Sequence, residues 1–263
     1  MQTTNSVQVI DDELNFNVSF NQFLKSHELL SRKSDYKSVA IIGCQSSGKS
    51  TLLNLLFGSH FETMDNERGR QQTTKGIWMS KSSDKSTLIF DIEGTDSKER
   101  GEQRLTFEQT TSLLALAISD VLLINMWTTD IGRYGASNYG LLKVIFECNL
   151  KLFGQQSAKK LLFVMRDFDD RGNNREKIMD LINKDITNLW NEIYKPDKFK
   201  DSKAQDFFDF EFCMLAHKVY QEDQFNEGVA SLKDRFELSS KNTLFPDTGM
   251  KNVPIDGLSV FID

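Results

Sequence analysis

The chain has 263 residues, with 32 Lys+Arg against 38 Asp+Glu and a formal net charge of −6. Apolar residues make up 39% and include 20 Phe, which excludes a disordered, collagenous or low-complexity chain. A chain this long buries roughly 70–75% of its unfolded surface and needs no disulfide or metal to hold a core, and its acidic balance argues against wrapping nucleic acid by bulk charge.

The cysteines Cys44, Cys148 and Cys213 are odd in number and widely spaced. No CxxC pair or Cys/His cluster occurs, so a reducing compartment and no zinc site are expected. Met1–Asp12 is polar and acidic, unlike a signal peptide. The longest apolar region, Ser112–Trp127, is interrupted by Ser119 and Asp120 and falls short of a membrane span.

Val7–Ile10 reads as an edge strand and Asn21–Leu30 as a leading helix. Five short apolar runs then have the length of buried strands: Val39–Gly43, Thr87–Asp91, Val121–Met126, Lys160–Arg166 and Phe210–Leu215. Between them lie segments of helical period, at Lys49–Phe57, Arg104–Ile118, Tyr139–Phe153, Arg175–Tyr194 and Glu222–Phe236. The long fourth segment carries a stripe of Ile178, Leu181, Ile182, Ile186, Leu189 and Trp190. Alternating strands and helices predict an α/β fold, a mainly parallel sheet with helices on both faces. Ligands of such sheets sit at the carboxyl ends of the strands.

After the first buried run comes Gly43-Cys44-Gln45-Ser46-Ser47-Gly48-Lys49-Ser50. This fits G-x-x-x-x-G-K-[ST] between a strand and a helix, the context that gives the pattern meaning. The glycines let backbone N–H groups curl around phosphate oxygens. Lys49 is expected on the β- and γ-phosphates and the Ser50 hydroxyl on magnesium. A chance match is expected in roughly 1 chain of this length in 100, so a nucleoside triphosphate is strongly indicated.

Asp91-Ile92-Glu93-Gly94 ends the next buried strand. Asp91 suits a metal held through water, and the Gly94 N–H suits the γ-phosphate; the pattern gains weight from its place beside the phosphate loop. The intervening Arg68–Trp78 is polar and glycine-containing and reads as a switch loop, with Thr74 favoured over Thr73 as the hydroxyl that reaches magnesium. Guanine offers N1–H and N2–H₂ to one carboxylate, and Asp167 stands at a strand end where it could accept both. Asn183-Lys184-Asp185 lacks the N-K-x-D spacer and lies in a helical pattern, so it is a decoy.

In this order, GCQSSGKSTLLNLL (43–56), RQQTTKGIW (70–78), DIEGTDSKERGE (91–102), GLLKVIFECNLKLF (140–153), VMRDFDD (164–170) and FFDFEFCMLAH (207–217) resemble the dynamin-superfamily GTPases. More narrowly, they resemble the GTPase domain of the Root Hair Defective/Sey family, the atlastin counterparts of plants, fungi and protists. The likeness runs from about Val7 to the end.

The resemblance implies a P-loop GTPase fold of the enlarged dynamin type. Residues 1–263 would form a single GTPase domain, with about 1–36 as a leading strand and helix. It implies hydrolysis of GTP to GDP, with Mg²⁺, and a homodimer formed through this domain in the nucleotide-bound state. In the family this activity draws endoplasmic reticulum membranes together until they fuse. Membrane attachment would come only through segments absent from these residues, on the cytosolic face of the reticulum. No nucleic-acid partner is implied. The competing reading is a slow nucleotide-gated binding switch, or a guanylate-binding-type GTPase without fusion activity.

The nucleotide set carried over is Gly43, Gln45, Ser46, Ser47, Gly48, Lys49, Ser50, Thr51, Thr74, Asp91, Gly94, Arg166, Asp167 and His217. Ser50, Thr74 and Asp91 would hold the metal, and Lys49, Ser46, Thr74 and Gly94 would act in catalysis. Arg166 and Asp167 would flank and read the base, and Leu215–Lys218 would cover it. Atlastins carry an arginine where Ser46 stands, and small GTPases a glutamine where Thr95 stands. Gln45-Ser46 is instead like the dynamin loop, so the missing charge is expected from a bound monovalent cation. Arg68, Arg70 and Arg100 are the alternative donors.

Overall fold

A computed structural model of the chain describes residues 5–63, 74–84, 86–94, 104–132, 137–152, 159–172, 174–246 and 253–262. A seven-stranded sheet forms the centre. Its strands are β1 (Ser6–Ile10), β2 (Lys37–Gly43), β3 (Ile77–Lys81), β4 (Thr87–Ile92), β5 (Val121–Trp127), β6 (Lys159–Arg166) and β7 (Phe208–Met214). They lie in the order β1-β3-β4-β2-β5-β6-β7.

Strand β2 pairs in parallel with both β4 and β5, and β5, β6 and β7 continue in parallel. Strands β1 and β3 add an antiparallel margin beside β4. The expected mainly parallel α/β sheet is therefore present. Strand β4, TLIFDI, is buried along its whole length, as expected for a parallel strand covered on both faces.

The helices are α1 (Ser19–Ser26), α2 (Lys49–Phe57), α3 (Arg104–Ile118), α4 (Ser137–Leu152), α5 (Arg175–Glu192), α6 (Glu222–Asp234) and α7 (Leu258–Ile262). They divide the core between the two faces. One face joins α2 and α6 through Leu52, Leu53, Leu56, Phe225, Val229 and Leu232 against Val39, Ile41, Leu123 and Val164. The other carries α1, α3, α4 and α5 on Ala40, Ile42, Phe90, Ile124 and Phe163. Successive residues of a strand alternate between the layers, as Val39 and Ile41 against Ala40 and Ile42 in β2, and Leu162 and Val164 against Leu161 and Phe163 in β6.

Helix α5 starts where the Asn174 side chain accepts from the Lys177 N–H (3.2 Å), an N-cap that satisfies an otherwise orphaned donor. Ile182, Ile186, Leu189 and Trp190 are buried along it, whereas Leu181 is 42% exposed and lies off the stripe. The Asn183-Lys184-Asp185 decoy falls inside this helix. The leading helix is shorter than its apolar pattern suggests: α1 ends at Ser26, and Leu29–Arg32 forms a separate 3₁₀ turn.

One strand departs from expectation. Ile77 and Trp78, read as the end of the switch loop, begin β3. Its sequence IWMSK ends in polar Ser80 and Lys81, and β3 lies toward the sheet margin, between β4 and the edge strand β1. Thr73, Thr95, Arg68, Arg70 and Arg100 lie outside the described residues. No described helix is long and apolar enough to cross a membrane. The apolar region at 112–127 divides into the end of α3 and strand β5.

Candidate functional site

From β2 the sheet grows outward both ways, to β4 on one side and β5 on the other. A crevice opens at such a switch point, outside the carboxyl ends of the strands. The loop Gly43–Gly48 occupies it, and α2 starts at Lys49.

Lys49 is buried, at 6% exposure. Its Nζ donates to Gly43 O (3.2 Å) and Cys44 O (3.0 Å), so the ammonium lies folded under the loop. Burial pushes its pKa down, and the nearby Asp91 charge opposes that shift. Burial likewise pushes the Asp91 carboxyl up, opposed by Lys49 and by hydrogen bonds from Ser50 and Thr74.

Ser50, Thr74 and Asp91 come from three separate segments and meet at one point. Ser50 Oγ donates to Asp91 Oδ2 (2.6 Å), and Thr74 Oγ1 donates to the same oxygen (3.2 Å). The two hydroxyls lie 3.3 Å apart. Asp91 Oδ1 is buried without a hydrogen-bond partner. These groups fit Mg²⁺. They are all hard oxygens with a single carboxylate, and Mg²⁺ commonly takes one or two carboxylates, with water and substrate phosphates completing its octahedron. Among the described residues no group of three or more His, Cys, Asp or Glu could hold a metal, so these protein groups suit a shared rather than an all-protein site.

The loop is braced from beneath. Ser47 Oγ donates to Cys44 O (2.7 Å). Asn125, near the end of β5, donates through Nδ2 to Ser47 O (2.9 Å) and to Ser47 Oγ (2.8 Å). Asn125 was not anticipated as a site residue, although a lone asparagine in the apolar run VLLINMW was a usable signal. Arg166 Nη1 makes long contacts to Ser47 O and Gly48 O (both 3.4 Å), and its guanidinium lies over the Phe225 ring at 5.5 Å. Arg166 was expected to flank the base. The structure sets its side chain against the phosphate loop, because at the end of β6 it is 5% exposed and enclosed by that loop and α6. Gly94 presses on the loop from above, so close that a Cβ there would lie 2.4 Å from Gln45 Cα. Ser46 turns with a positive φ of 59°. Thr51 is partly buried in the first turn of α2.

Asp167 follows β6 directly and also has a positive φ, 58°. Its neighbourhood is tied down by Phe168 N donating to Leu215 O (3.0 Å) and by Leu215 N donating to Met165 O (2.9 Å). His217 is brought to Asp167: Nε2 lies 3.8 Å from Oδ2, longer than a direct hydrogen bond. Its Nδ1 accepts from the N–H groups of Val219 (3.1 Å) and Tyr220 (3.2 Å). In the neutral ring this leaves the proton on Nε2, toward Asp167. The Tyr220 ring packs on His217 at 4.3 Å while staying 83% exposed. Tyr220 lies beyond the expected covering stretch, and nothing in its sequence context marked it.

The Root hair defective 3 GTP-binding protein (RHD3) GTPase domain matches residues 42–263. The chain belongs to that family. Protein SEY1 homolog 1 of Trichomonas vaginalis is 50% identical over 231 residues, covering 87% of this chain and 28% of the relative. The Dictyostelium discoideum SEY1 homolog is 44% identical, covering 96% of this chain and 29% of its own length. Protein sey1 of Schizosaccharomyces japonicus is 43% identical, with 97% and 33% covered. The chain therefore spans about a third or less of these relatives. Within that span it is an α/β GTPase domain.

Proposed function

We propose that this domain binds GTP with Mg²⁺ and hydrolyses it to GDP and phosphate. The observation that carries this reading is the meeting of Ser50, Thr74 and Asp91 beside the buried Lys49, with Asp167 at the adjoining strand end. Loop N–H groups from Gly43 to Thr51 and the start of α2 would cradle the phosphates. Lys49, released from its two carbonyl acceptors, would bind the β- and γ-phosphate oxygens. The Gly94 N–H would donate to the γ-phosphate. Asp167 would accept from guanine N1–H and N2–H₂, with His217 beside it and Tyr220 covering the base. Ser50, Thr74 and Asp91 would hold Mg²⁺, which when bound neutralises charge on the β- and γ-oxygens.

Ser46 supplies no positive charge. The Gln45–Ser46 turn would hold a monovalent cation in place of an arginine. Turnover in potassium or sodium chloride against a bulky organic cation tests this; equal rates would refute it.

In the full-length protein, GTP-dependent homodimerisation of this domain would tether and fuse endoplasmic reticulum membranes. The family supports that reading, and the membrane segments would lie in the remainder of the protein. Purified chain should hydrolyse GTP without competition from ATP, and should dimerise with GDP and aluminium fluoride but not with GDP alone. Absence of GTP-selective turnover would overturn the enzyme. Turnover without dimerisation would favour a nucleotide-gated switch.

A further inference from the structure

Strands β3 and β4 pair antiparallel as far as Ile77 opposite Ile92. One step beyond, Glu93 N donates to Gly76 O (2.8 Å), as a further rung requires. The reciprocal place is taken by a side chain: the Gly76 N–H donates to Glu93 Oε2 at 2.7 Å. Glu93 is buried, at 3% exposure, and stands between Asp91 and Gly94. Both bonds therefore grip the segment that carries Thr74 from the segment that carries Gly94.

Gly76 is held from its other side as well. Its φ is +72°, and a Cβ there would lie 2.1 Å from Ile10 O, so only glycine can sit between β1 and Glu93. The adjoining Lys75 carbonyl accepts from Gln8 Nε2 (3.0 Å) and Trp78 Nε1 (2.9 Å). Thr74 thus hangs two residues from a fixed point, and Glu93 is the part of that point contiguous with Gly94.

We propose that Glu93 is a positioning residue that couples Gly94 to the switch threonine. The inference rests on the GTPase reading above. Gly94 is seated against Gln45 of the phosphate loop. A shift of Gly94 toward a γ-phosphate moves the Glu93 backbone, and the paired bonds carry that movement to Gly76 and Thr74. The hydroxyl of Thr74 then reaches the metal position together with the Gly94 N–H reaching the phosphate, rather than independently. Without the carboxylate the main-chain bond remains, but Gly76 is free to turn about it.

Two variants separate reach from charge. Glu93→Gln keeps an oxygen acceptor at the same reach and drops the charge. Glu93→Asp keeps the charge and withdraws it by one methylene, about 1.5 Å, beyond bonding distance of the Gly76 N–H. Glu93→Ala removes both. The measurements are kcat for GTP, and affinities for GDP and for a non-hydrolysable GTP analogue with and without Mg²⁺. Glu93→Asp and Glu93→Ala should lose about tenfold or more of the Mg²⁺-dependent gain in analogue affinity, the scale of a buried bond to a carboxylate. Their kcat should fall at least as far while GDP affinity stays near wild type. Glu93→Gln should recover most of both. A merely structural role would lower GDP affinity and the melting temperature along with turnover. If Glu93→Ala does not fold, the Gln and Asp pair still decides. Any other order, such as Asp outperforming Gln or all variants matching wild type, overturns the coupling. In that case wild-type GTP turnover stands; its absence would instead overturn the GTPase reading and the coupling with it.

Discussion

Replacing Gly94 by alanine perturbs one contact in a way that can be worked through from the structure. The added Cβ would lie 2.4 Å from Gln45 Cα and 2.6 Å from Gln45 N. Ordinary contact between carbons is about 3.5–4.0 Å, so one backbone must retreat by about 1 Å. The phosphate loop is pinned by Ser47 Oγ on Cys44 O and by Asn125 on Ser47. Gly94 lies one residue past the last β4 rung, the one from Glu93 to Gly76, and is not itself part of that rung. The end of β4 should therefore yield. Overpacking of this kind costs about 1–3 kcal/mol, within the stability of an ordinary domain, so Gly94→Ala should fold. A displacement of about 1 Å at a reacting centre can cost about 10²-fold in rate. Single-turnover GTP hydrolysis should fall on that order, while GDP affinity by calorimetry stays near wild type because GDP has no γ-phosphate for Gly94 to meet. Unchanged turnover would refute the reasoning. An equal loss of GDP affinity would show that the phosphate loop moved instead, and would refute the assignment of the loop as the rigid partner.

Lys49→Ala should abolish tight GTP binding while the melting curve stays native, because it removes a buried ammonium whose charged form burial already disfavours; wild-type affinity in a folded variant would refute it. Asp167→Asn should weaken GTP at least about tenfold, on the scale of a lost charged contact of about 1.5–3 kcal/mol, and should admit xanthosine nucleotide, whose C2 carbonyl can accept from the new amide. Wild-type GTP affinity in that variant would put the base reader elsewhere. Burial raises the Asp91 carboxyl above its ordinary range, and a cation needs it ionised. Mg²⁺-dependent nucleotide affinity should therefore be full above the raised pKa and fall by up to about tenfold per pH unit below it. The fall should begin at a higher pH than for an ordinary aspartate, and titration of Asp91→Asn, already defective, should lack that step.

The strands and helices were legible because most of them are buried. Val121–Met126 and Lys160–Arg166 have no polar face to confuse the period, and the observed β5 and β6 differ by one residue at an end. Strand β3 was not legible, since an antiparallel strand near the sheet margin mixes Ser80 and Lys81 with its apolar residues and looks like loop. The phosphate loop was legible because its chemistry needs residues close in sequence. Glu93, Asn125 and Tyr220 act across 17, 78 and 3 residues of sequence, so their spacing carries no local period. Their partners are main-chain or loop groups that composition does not mark. Arg166 was read as a base-flanking residue from its motif, whereas its direction depends on long-range packing against Ser47, Gly48 and Phe225 that no local pattern carries.

Two unpartnered buried polar atoms flank the phosphate loop. Among the described residues, the buried side-chain atoms without a hydrogen-bond partner are Asp91 Oδ1 and Arg166 Nε. Each such atom costs about 1–3 kcal/mol, and they lie on two sides of the loop from Gly43 to Gly48. Ser46 and Asp167 have positive φ values in the same crevice, as Leu14, Glu28 and Lys33 do elsewhere. Elsewhere Ser38 donates to Ile118 O and its N–H to Asp120, and Trp190 donates to Ser202 O, so buried polar groups away from the site are served. A core optimised for stability alone would not place an acceptor where no donor reaches it. Among the described residues none donates to Asp91 Oδ1, and the adjoining hydroxyls of Ser50 and Thr74 donate to the other carboxylate oxygen, Oδ2. The hydroxyls can turn their lone pairs outward when a cation draws on the same carboxylate, which exchanges bonds within the cluster for bonds to the ion. The triad is thus satisfied enough to hold its shape beforehand, and Oδ1 is the atom at which a bound cation would add a partner.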